Sequence, residues 1–281
     1  MSAITSWTCP TCRVTVTTPF CAQCGEEPIA ASDLTLRGLA GKAFHAFTDV
    51  DARALRTAWT LIRRPGELTR TWANGVRKAY VAPFQLFLLV NVLFFALQSV
   101  TGENVFSTSL DSHLHHQDWS ALAQELVGHR LAAANTTLDR FAPLFDRAVV
   151  LHAKSLVIAM AVPFALLLPI VFLGRRRPFS IHVVFSLHLY AFLLLLFCVA
   201  LGIAAVNVFF GGGGLASARI DNVLTGLILV GSTVYLYLAS GRVYGVAGWS
   251  RIARSLLLAL AVGVIVVGYR FAIFVVTLYT T

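Results

Sequence analysis

Charged residues are scarce in this sequence, and their scarcity excludes an ordinary water-soluble surface. Only 12% of the 281 residues are Asp, Glu, Lys or Arg, whereas 57% are hydrophobic. Soluble domains usually carry about 25% charged residues. A very apolar soluble helical bundle is the alternative. The apolar residues are concentrated in long runs, and this arrangement favours a membrane protein instead.

Recognisable catalytic motifs are also missing. The sequence contains no His-Glu-x-x-His, no Gly-x-Ser-x-Gly and no Walker glycine loop. It also lacks the dense histidine boxes of membrane di-iron enzymes. These absences favour a protein that is not an enzyme, although they leave the question open.

Five apolar runs are long enough to cross a bilayer as helices, each of which needs about 20 apolar residues. The runs are continuous and do not alternate, which is unlike the strands of a membrane barrel. The sequence therefore predicts an all-α integral membrane helical bundle of about five transmembrane helices. The first run begins near residue 80, so no cleaved signal peptide is expected. The predicted spans are residues 80–100, 152–173, 181–206, 222–239 and 253–278.

The distribution of basic residues predicts the orientation of the bundle. The formal net charge is +9, and three basic clusters fall on one side of a five-span protein. The positive-inside bias places that side, and the N-terminus, in the cytoplasm, and the C-terminus on the opposite side. The long loop after the first span also carries basic residues, but long loops obey this bias weakly. Anionic lipid is the expected partner of the clusters, and nucleic acid is disfavoured. The clusters are Arg63, Arg64, Arg70, Arg77 and Lys78; Arg175, Arg176 and Arg177; and Arg242, Arg251 and Arg254.

Two Cys-x-x-Cys pairs form the most specific motif in the chain. Cys9 and Cys12 make the first pair, and Cys21 and Cys24 make the second. Two such pairs supply the four tetrahedral ligands of a closed structural zinc site. Two disulfides are the alternative, which a reducing cytoplasmic location disfavours. We therefore predict a zinc-ribbon-like module at residues 1–30, with structural zinc as its cofactor.

Residues 31–79 separate this module from the first predicted span and have an amphipathic pattern. Leu55, Trp59 and Ile62 recur at helical spacing among arginines, and Pro65-Gly66 interrupts the pattern. Such helices are suited to the head-group plane of the bilayer. Packing against the protein's own cytoplasmic loops is the alternative. The predicted organisation is then a module at 1–30, juxtamembrane helices at 31–79 and a transmembrane domain at 80–281.

Polar residues within the predicted spans are candidates for an intramembrane site, because polar groups are costly at membrane depth. The candidates are His188, Arg270, Asn91, His182 and His152. They could line one polar cavity for an anionic or proton-coupled substrate. Alternatively, the outer groups extend to the interface and His188 makes one hydrogen bond inside the bundle. Expected depth argues against a single cluster, since His182 and His152 belong near opposite surfaces.

The loop after the first span contains His113, His115 and His116, which could bind a transition metal through imidazole nitrogens. A histidine cluster without a nearby Cys or acidic partner is more often a solvated segment. Cys198 lies within the third span and is interpreted as a small core residue.

Several short motifs resemble those of a known family. They are LIRRPG at 61–66, NGVRKAY at 74–80, IHVVFSLHLYAF at 181–192, and YLY at 235–237 followed by RVYG at 242–245. The chain resembles an uncharacterised bacterial polytopic membrane-protein family, a domain of unknown function with an N-terminal zinc ribbon. It departs from the family pattern at Ile181, where an acidic residue is expected. The resemblance implies a location in the cell inner membrane and no particular activity.

Three functions remain open at this stage. The favoured one is a non-enzymatic membrane protein whose zinc-binding module docks a cytoplasmic protein partner while its helices anchor or assist another membrane component. The second is a transporter or carrier, which requires a cavity at mid-depth. It is weakened by the lack of a visible inverted repeat. The third is an intramembrane metal-dependent enzyme that uses the histidines. A homo-oligomer is compatible with each of these functions. The sequence does not identify the substrate or the partner.

Overall fold

The computed structural model describes residues 6–9, 13–23, 52–74, 79–102, 105–175 and 177–281. It divides the chain into two compact units, Met1–Arg53 and Ala54–Thr281. Cys12, Cys24 and the helices predicted between residues 31 and 51 lie outside the described residues.

The first unit contains a small antiparallel strand pair. β1 (Trp7–Thr8) pairs with β2 (Thr15–Val16), so that Trp7 lies opposite Val16. The Trp7 indole donates a hydrogen bond of 3.0 Å to the carbonyl oxygen of Thr18. Cys9, Val16 and Cys21 are buried in one cluster, against which Trp7 packs. Two of the four predicted zinc ligands, one from each pair, therefore belong to the same small core.

The second unit is helical throughout the residues that the structure describes. Two short 3-10 turns, Val157–Met160 and Gly214–Ala216, accompany ten α-helices. The helices are α1 (52–63), α2 (Glu67–Ala73), α3 (Pro83–Thr101), α4 (Leu110–His115), α5 (Ser120–Ala133), α6 (Leu138–Leu156), α7 (Ala161–Val171), α8 (Phe179–Phe209), α9 (Ala218–Tyr244) and α10 (Gly248–Thr280).

Four of these helices, α3, α8, α9 and α10, are long and apolar enough to cross a membrane. The described residues contain a fifth such span if the bent pair Leu138–Lys154 and Val157–Val171 counts as one. This is the architecture of a multi-pass membrane protein with an all-α bundle. The observed α8, α9 and α10 extend beyond the predicted runs, because the residues at their ends continue the same backbone hydrogen bonding.

The second predicted span, 152–173, differs most from the structure. Its two helical parts are bent by 57° around the 3-10 turn Val157–Met160. Pro163 explains a break at this point, because proline has no N–H for the carbonyl of residue 159 and its ring clashes with that carbonyl. Beside the break, the Ser186 hydroxyl donates a hydrogen bond of 2.7 Å to the Ala161 carbonyl oxygen.

Helix α8 is the centre of the bundle, because α3, α7 and α9 all contact it. Its first half is buried almost continuously from Ile181 to Leu194.

The two ends of the bundle are named as follows. The inner end contains α2 and the α7–α8 and α9–α10 connections. The outer end contains α4, α5 and the α8–α9 connection. The α9–α10 connection, residues 245–247, is only three residues long, so these two helices form a tight hairpin at the inner end.

Candidate functional site

At the inner end, α2 is inserted against α8 and α9, where it supplies the hydrogen-bond partner of His188. Thr69 Oγ1 and His188 Nδ1 are 2.8 Å apart, and the two residues are 1% and 2% exposed. The Pro65-Gly66 break makes this insertion possible, since it separates α1 from α2 and turns the chain toward the bundle. Within the described part of the chain, His188 makes this side-chain hydrogen bond inside the bundle.

The turn before α2 approaches α9 closely. Gly66 has φ of +81°, and a Cβ atom at this position would lie 2.7 Å from the Cα atom of Ala239. Arg242 donates a hydrogen bond of 2.8 Å to the Pro65 carbonyl oxygen. The contact thus requires a glycine for two reasons, the left-handed backbone and the close backbone approach.

His182 lies at the same end but in a separate contact. Its Nδ1 atom is 2.8 Å from the Tyr244 hydroxyl, and Tyr244 is stacked on Phe172 at a centroid distance of 3.8 Å. Arg177 donates a hydrogen bond of 3.0 Å to the Val243 carbonyl oxygen nearby. These interactions join the start of α8 to the end of α9, and His182 contributes to that packing.

The remaining two polar candidates are also apart. His152 Nδ1 is 2.9 Å from the Thr277 hydroxyl, on the outer half of the bundle. Asn91 is half-buried on α3. The structure therefore does not bring the five candidates together, as the argument from depth expected. Only Arg270 lines the cavity described next.

A cavity of about 610 Å³ lies between residues 193–201 of α8, 221–232 of α9 and 259–270 of α10. This volume is within the usual range of small-molecule sites. Its walls are mainly apolar, and its polar residues are concentrated toward the outer end. The lining residues are Val105, Phe106, Gln117, Leu193, Phe197, Ala200, Leu201, Leu215, Asp221, Leu224, Thr225, Ile228, Leu229, Ser232, Ala259, Val262, Gly263, Val266, Val267 and Arg270.

Arg270 is the only basic residue in this lining. One guanidinium nitrogen donates a hydrogen bond of 2.9 Å to the Thr108 hydroxyl. The Nε atom is buried and has no hydrogen-bond partner within the described part of the chain. Among the same residues, no carboxylate lies within 4.0 Å of Arg270. Asp221 lines the cavity and interacts with Arg270 electrostatically from a greater distance.

Helix α4 covers the outer end beside Arg270. The Trp119 indole donates a hydrogen bond of 3.2 Å to His113 Nδ1, and His113 packs on Phe274 at a centroid distance of 4.7 Å. Burial, and secondarily the charge of Arg270, lower the pKa of His113 from 6.5 to about 4. His113 is therefore neutral at pH 7 and serves as a packed hydrogen-bond acceptor. His115 instead contacts Asp111, with 3.0 Å between Nδ1 and Oδ1.

The structure describes one cysteine of each Cys-x-x-Cys pair. Cys9 and Cys21 are buried in one cluster, and Arg13 has φ of 57°, a conformation that turns the chain sharply after the first pair. This core holds one cysteine from each pair, and the zinc site stays a prediction. No three His, Cys, Asp or Glu side chains are grouped for a metal ion among the residues that the structure describes. Cys12 and Cys24 fall outside those residues.

Several residues of these sites were not singled out from the sequence. Thr69, Thr108 and Asp221 are common polar residues with no distinctive local pattern. The Pro65-Gly66 break and the acidic residue at the first turn of α9 were the available signals. Neither identifies a partner more than 100 positions away, and Thr69 and His188 are separated by 119 residues.

Comparison with known proteins gives one finding. Residues 51–95 match the model of a family described as a protein of unknown function (DUF3667). The match covers α1, α2 and most of α3, and so includes the turn that packs on α9. It fits the resemblance to an uncharacterised family, whose description assigns no activity. No curated protein and no solved structure matches the chain.

Proposed function

We propose that this chain is a non-enzymatic inner-membrane protein that binds a ligand in the cavity between α8, α9 and α10. The cavity, with one arginine at its outer end, is the observation that carries the proposal. An arginine at membrane depth without an ion pair is costly, and such residues usually mark a functional site. The proposal keeps the carrier hypothesis but moves its site to Arg270 alone.

We place access to the cavity on the bilayer side. Leu229 on α9 and Val267 on α10 line it and are 55% and 50% exposed, which supports entry of a ligand from between these helices. Toward the inner end, Tyr235, Leu236 and Ala239 of α9 are fully buried. Close packing at this end favours a protein that holds its ligand rather than one that forms an open channel.

The proposal also retains a cytoplasmic zinc-binding module that docks a protein partner. The basic residues near the inner ends of the helices, such as Arg177, Arg242 and Arg254, support a cytoplasmic location of that end. Cys9, Cys12, Cys21 and Cys24 would hold the zinc ion, which would stabilise a segment too short to fold by burial alone.

The ligand-binding proposal is tested by native mass spectrometry of protein purified in mild detergent. Wild-type protein should retain an adduct that Val262→Trp, which fills the cavity, has lost. Leu260→Trp is the matched control, because Leu260 lies on the same helix but is 66% exposed. It should retain the adduct. Equal adducts in all three proteins would refute the proposal. Ala259→Leu is the smaller replacement if the Trp variant does not fold.

Metal analysis tests the zinc module separately. One zinc per chain is expected in wild-type protein and in Cys198→Ser, and none in Cys9→Ser. Removal of residues 1–30 should then abolish recovery of a cytoplasmic partner while leaving membrane insertion intact. Recovery of the same partners by the shortened protein would exclude docking through the module.

A further inference from the structure

We infer that the ligand of this cavity is a single-chain amphiphile with an anionic head group, which enters from the bilayer between α9 and α10. The inference rests on the proposed ligand cavity and adds the chemical class of the ligand. Arg270 is assigned to the head group, and the apolar walls are assigned to the chain.

The assignment of the head group follows from the incomplete bonding of Arg270. Among the described residues its one hydrogen-bond acceptor is the neutral Thr108 hydroxyl, and its buried Nε atom has none. A guanidinium group presents several N–H donors in one plane and binds phosphate or carboxylate with two parallel hydrogen bonds. An anion at this point would supply the missing negative charge.

The assignment of the chain follows from the polarity gradient along the cavity. From Arg270 the lining continues along α10 to Ala259, a distance of roughly 16 Å at 1.5 Å per residue. Leu193, Ile228 and Val262 line the inner portion. Ser232 also lies there, but its hydroxyl already donates to the Ile228 carbonyl oxygen. The inner portion therefore offers a ligand little besides apolar contact, whereas the outer end is polar.

Asp221 allows a specific head-group site to be distinguished from general attraction of anions to Arg270. It lines the outer part of the cavity and is exposed, and it interacts with Arg270 without forming an ion pair within 4.0 Å in the described chain. Its carboxylate opposes a second negative charge at the same place. Removal of each charge should therefore change affinity in opposite directions.

The route of entry follows from the exposure of the lining. Leu229 and Val267 face outward from α9 and α10 and border the cavity as well. In a bilayer these two residues adjoin hydrocarbon, so a chain that enters beside them does not cross water. The head group would remain at the outer end, next to Gln117 and Arg270.

The test compares lysophosphatidic acid with the monoacylglycerol of the same chain, titrated onto purified full-length protein and measured by native mass spectrometry. The pair differs only in the phosphate. Wild-type protein should bind the phosphate form about tenfold tighter or more, as expected for a charge-assisted hydrogen bond. Arg270→Gln should lose this preference, Arg270→Lys should retain part of it, and Asp221→Asn should increase it. Inorganic phosphate should not compete at equal concentration.

Each outcome has a separate meaning. If wild-type protein and Arg270→Gln bind both amphiphiles equally, the head-group assignment is wrong while ligand binding stands. If inorganic phosphate displaces the amphiphile, the ligand is a soluble anion and the lipid assignment is wrong. If Val262→Trp binds both amphiphiles like wild-type protein, the cavity is not the site and the proposed function fails as well.

Discussion

The close approach of Gly66 to α9 gives the most quantitative prediction about this fold. Replacing Gly66 with Ala places a Cβ atom 2.7 Å from the Ala239 Cα atom and 3.0 Å from its carbonyl oxygen. Both neighbours are backbone atoms, so neither can rotate away. A left-handed conformation costs about 1–2 kcal/mol for a residue with a Cβ atom, and overpacking adds about 1–3 kcal/mol. We therefore expect Gly66→Ala to lower the free energy of unfolding by about 2–5 kcal/mol.

Gly102→Ala is the matched control for this prediction. Gly102 has φ of +71°, but no heavy atom of the described chain lies within 4 Å of a Cβ atom placed there. It should therefore show only the backbone cost of about 1–2 kcal/mol. The measurement is equilibrium unfolding in mixed micelles with increasing dodecyl sulfate, followed by circular dichroism. Equal losses in the two variants would show that α2 does not pack on α9 as described.

Three further predictions concern the ends of the bundle. Thr69→Val should lower the free energy of unfolding by about 1–3 kcal/mol, because it leaves the buried imidazole of His188 without its partner. Thr71→Val is the control, because the Thr71 hydroxyl donates to carbonyl oxygens of its own helix, and it should cost less in the same unfolding assay. Equal costs would contradict the buried contact. The folded pKa of His113 is about 4 against 6.5 when unfolded. The contribution of His113 to stability should therefore be complete above pH 6.5 and fall by up to about 3 kcal/mol as the pH decreases to 4. His113→Gln should remove that decrease, and an unchanged profile would contradict its burial. The cysteine in Asn135→Cys should react with an impermeant maleimide in intact spheroplasts, and the cysteine in Ser250→Cys should react only after lysis. The reverse pattern would show that the topology is opposite to the one predicted.

The helices of the bundle were largely predictable from the sequence, because a continuous apolar run has few alternatives in lipid. The runs 181–206 and 253–278 correspond to α8 and α10. The bend near residue 157 was not predicted. Hydropathy measures how well a segment tolerates lipid, and it is insensitive to a single missing N–H at Pro163.

The candidate site was less predictable, since its geometry depends on which helices are neighbours. Arg270 and His188 were singled out from the sequence as polar groups in apolar helices. Their partners Thr108 and Thr69 are 162 and 119 residues away in sequence. One sequence contains no direct record of such pairings. From the sequence, a single polar cluster could be judged only by the expected depth of each residue in the membrane. In the structure the five candidate residues lie apart.

Photo-crosslinking of a bound amphiphile tests the central claim most directly. The probe is a fatty acid that carries a diazirine near the end of its chain, and the labelled residues are identified by mass spectrometry of the digested protein. Labels are expected on the inner lining, at Leu193, Ile228 or Val262, and should be about tenfold weaker in Arg270→Gln. Labels confined to lipid-facing positions such as Leu260, with the same pattern in both proteins, would contradict the existence of an anionic-amphiphile site in this cavity.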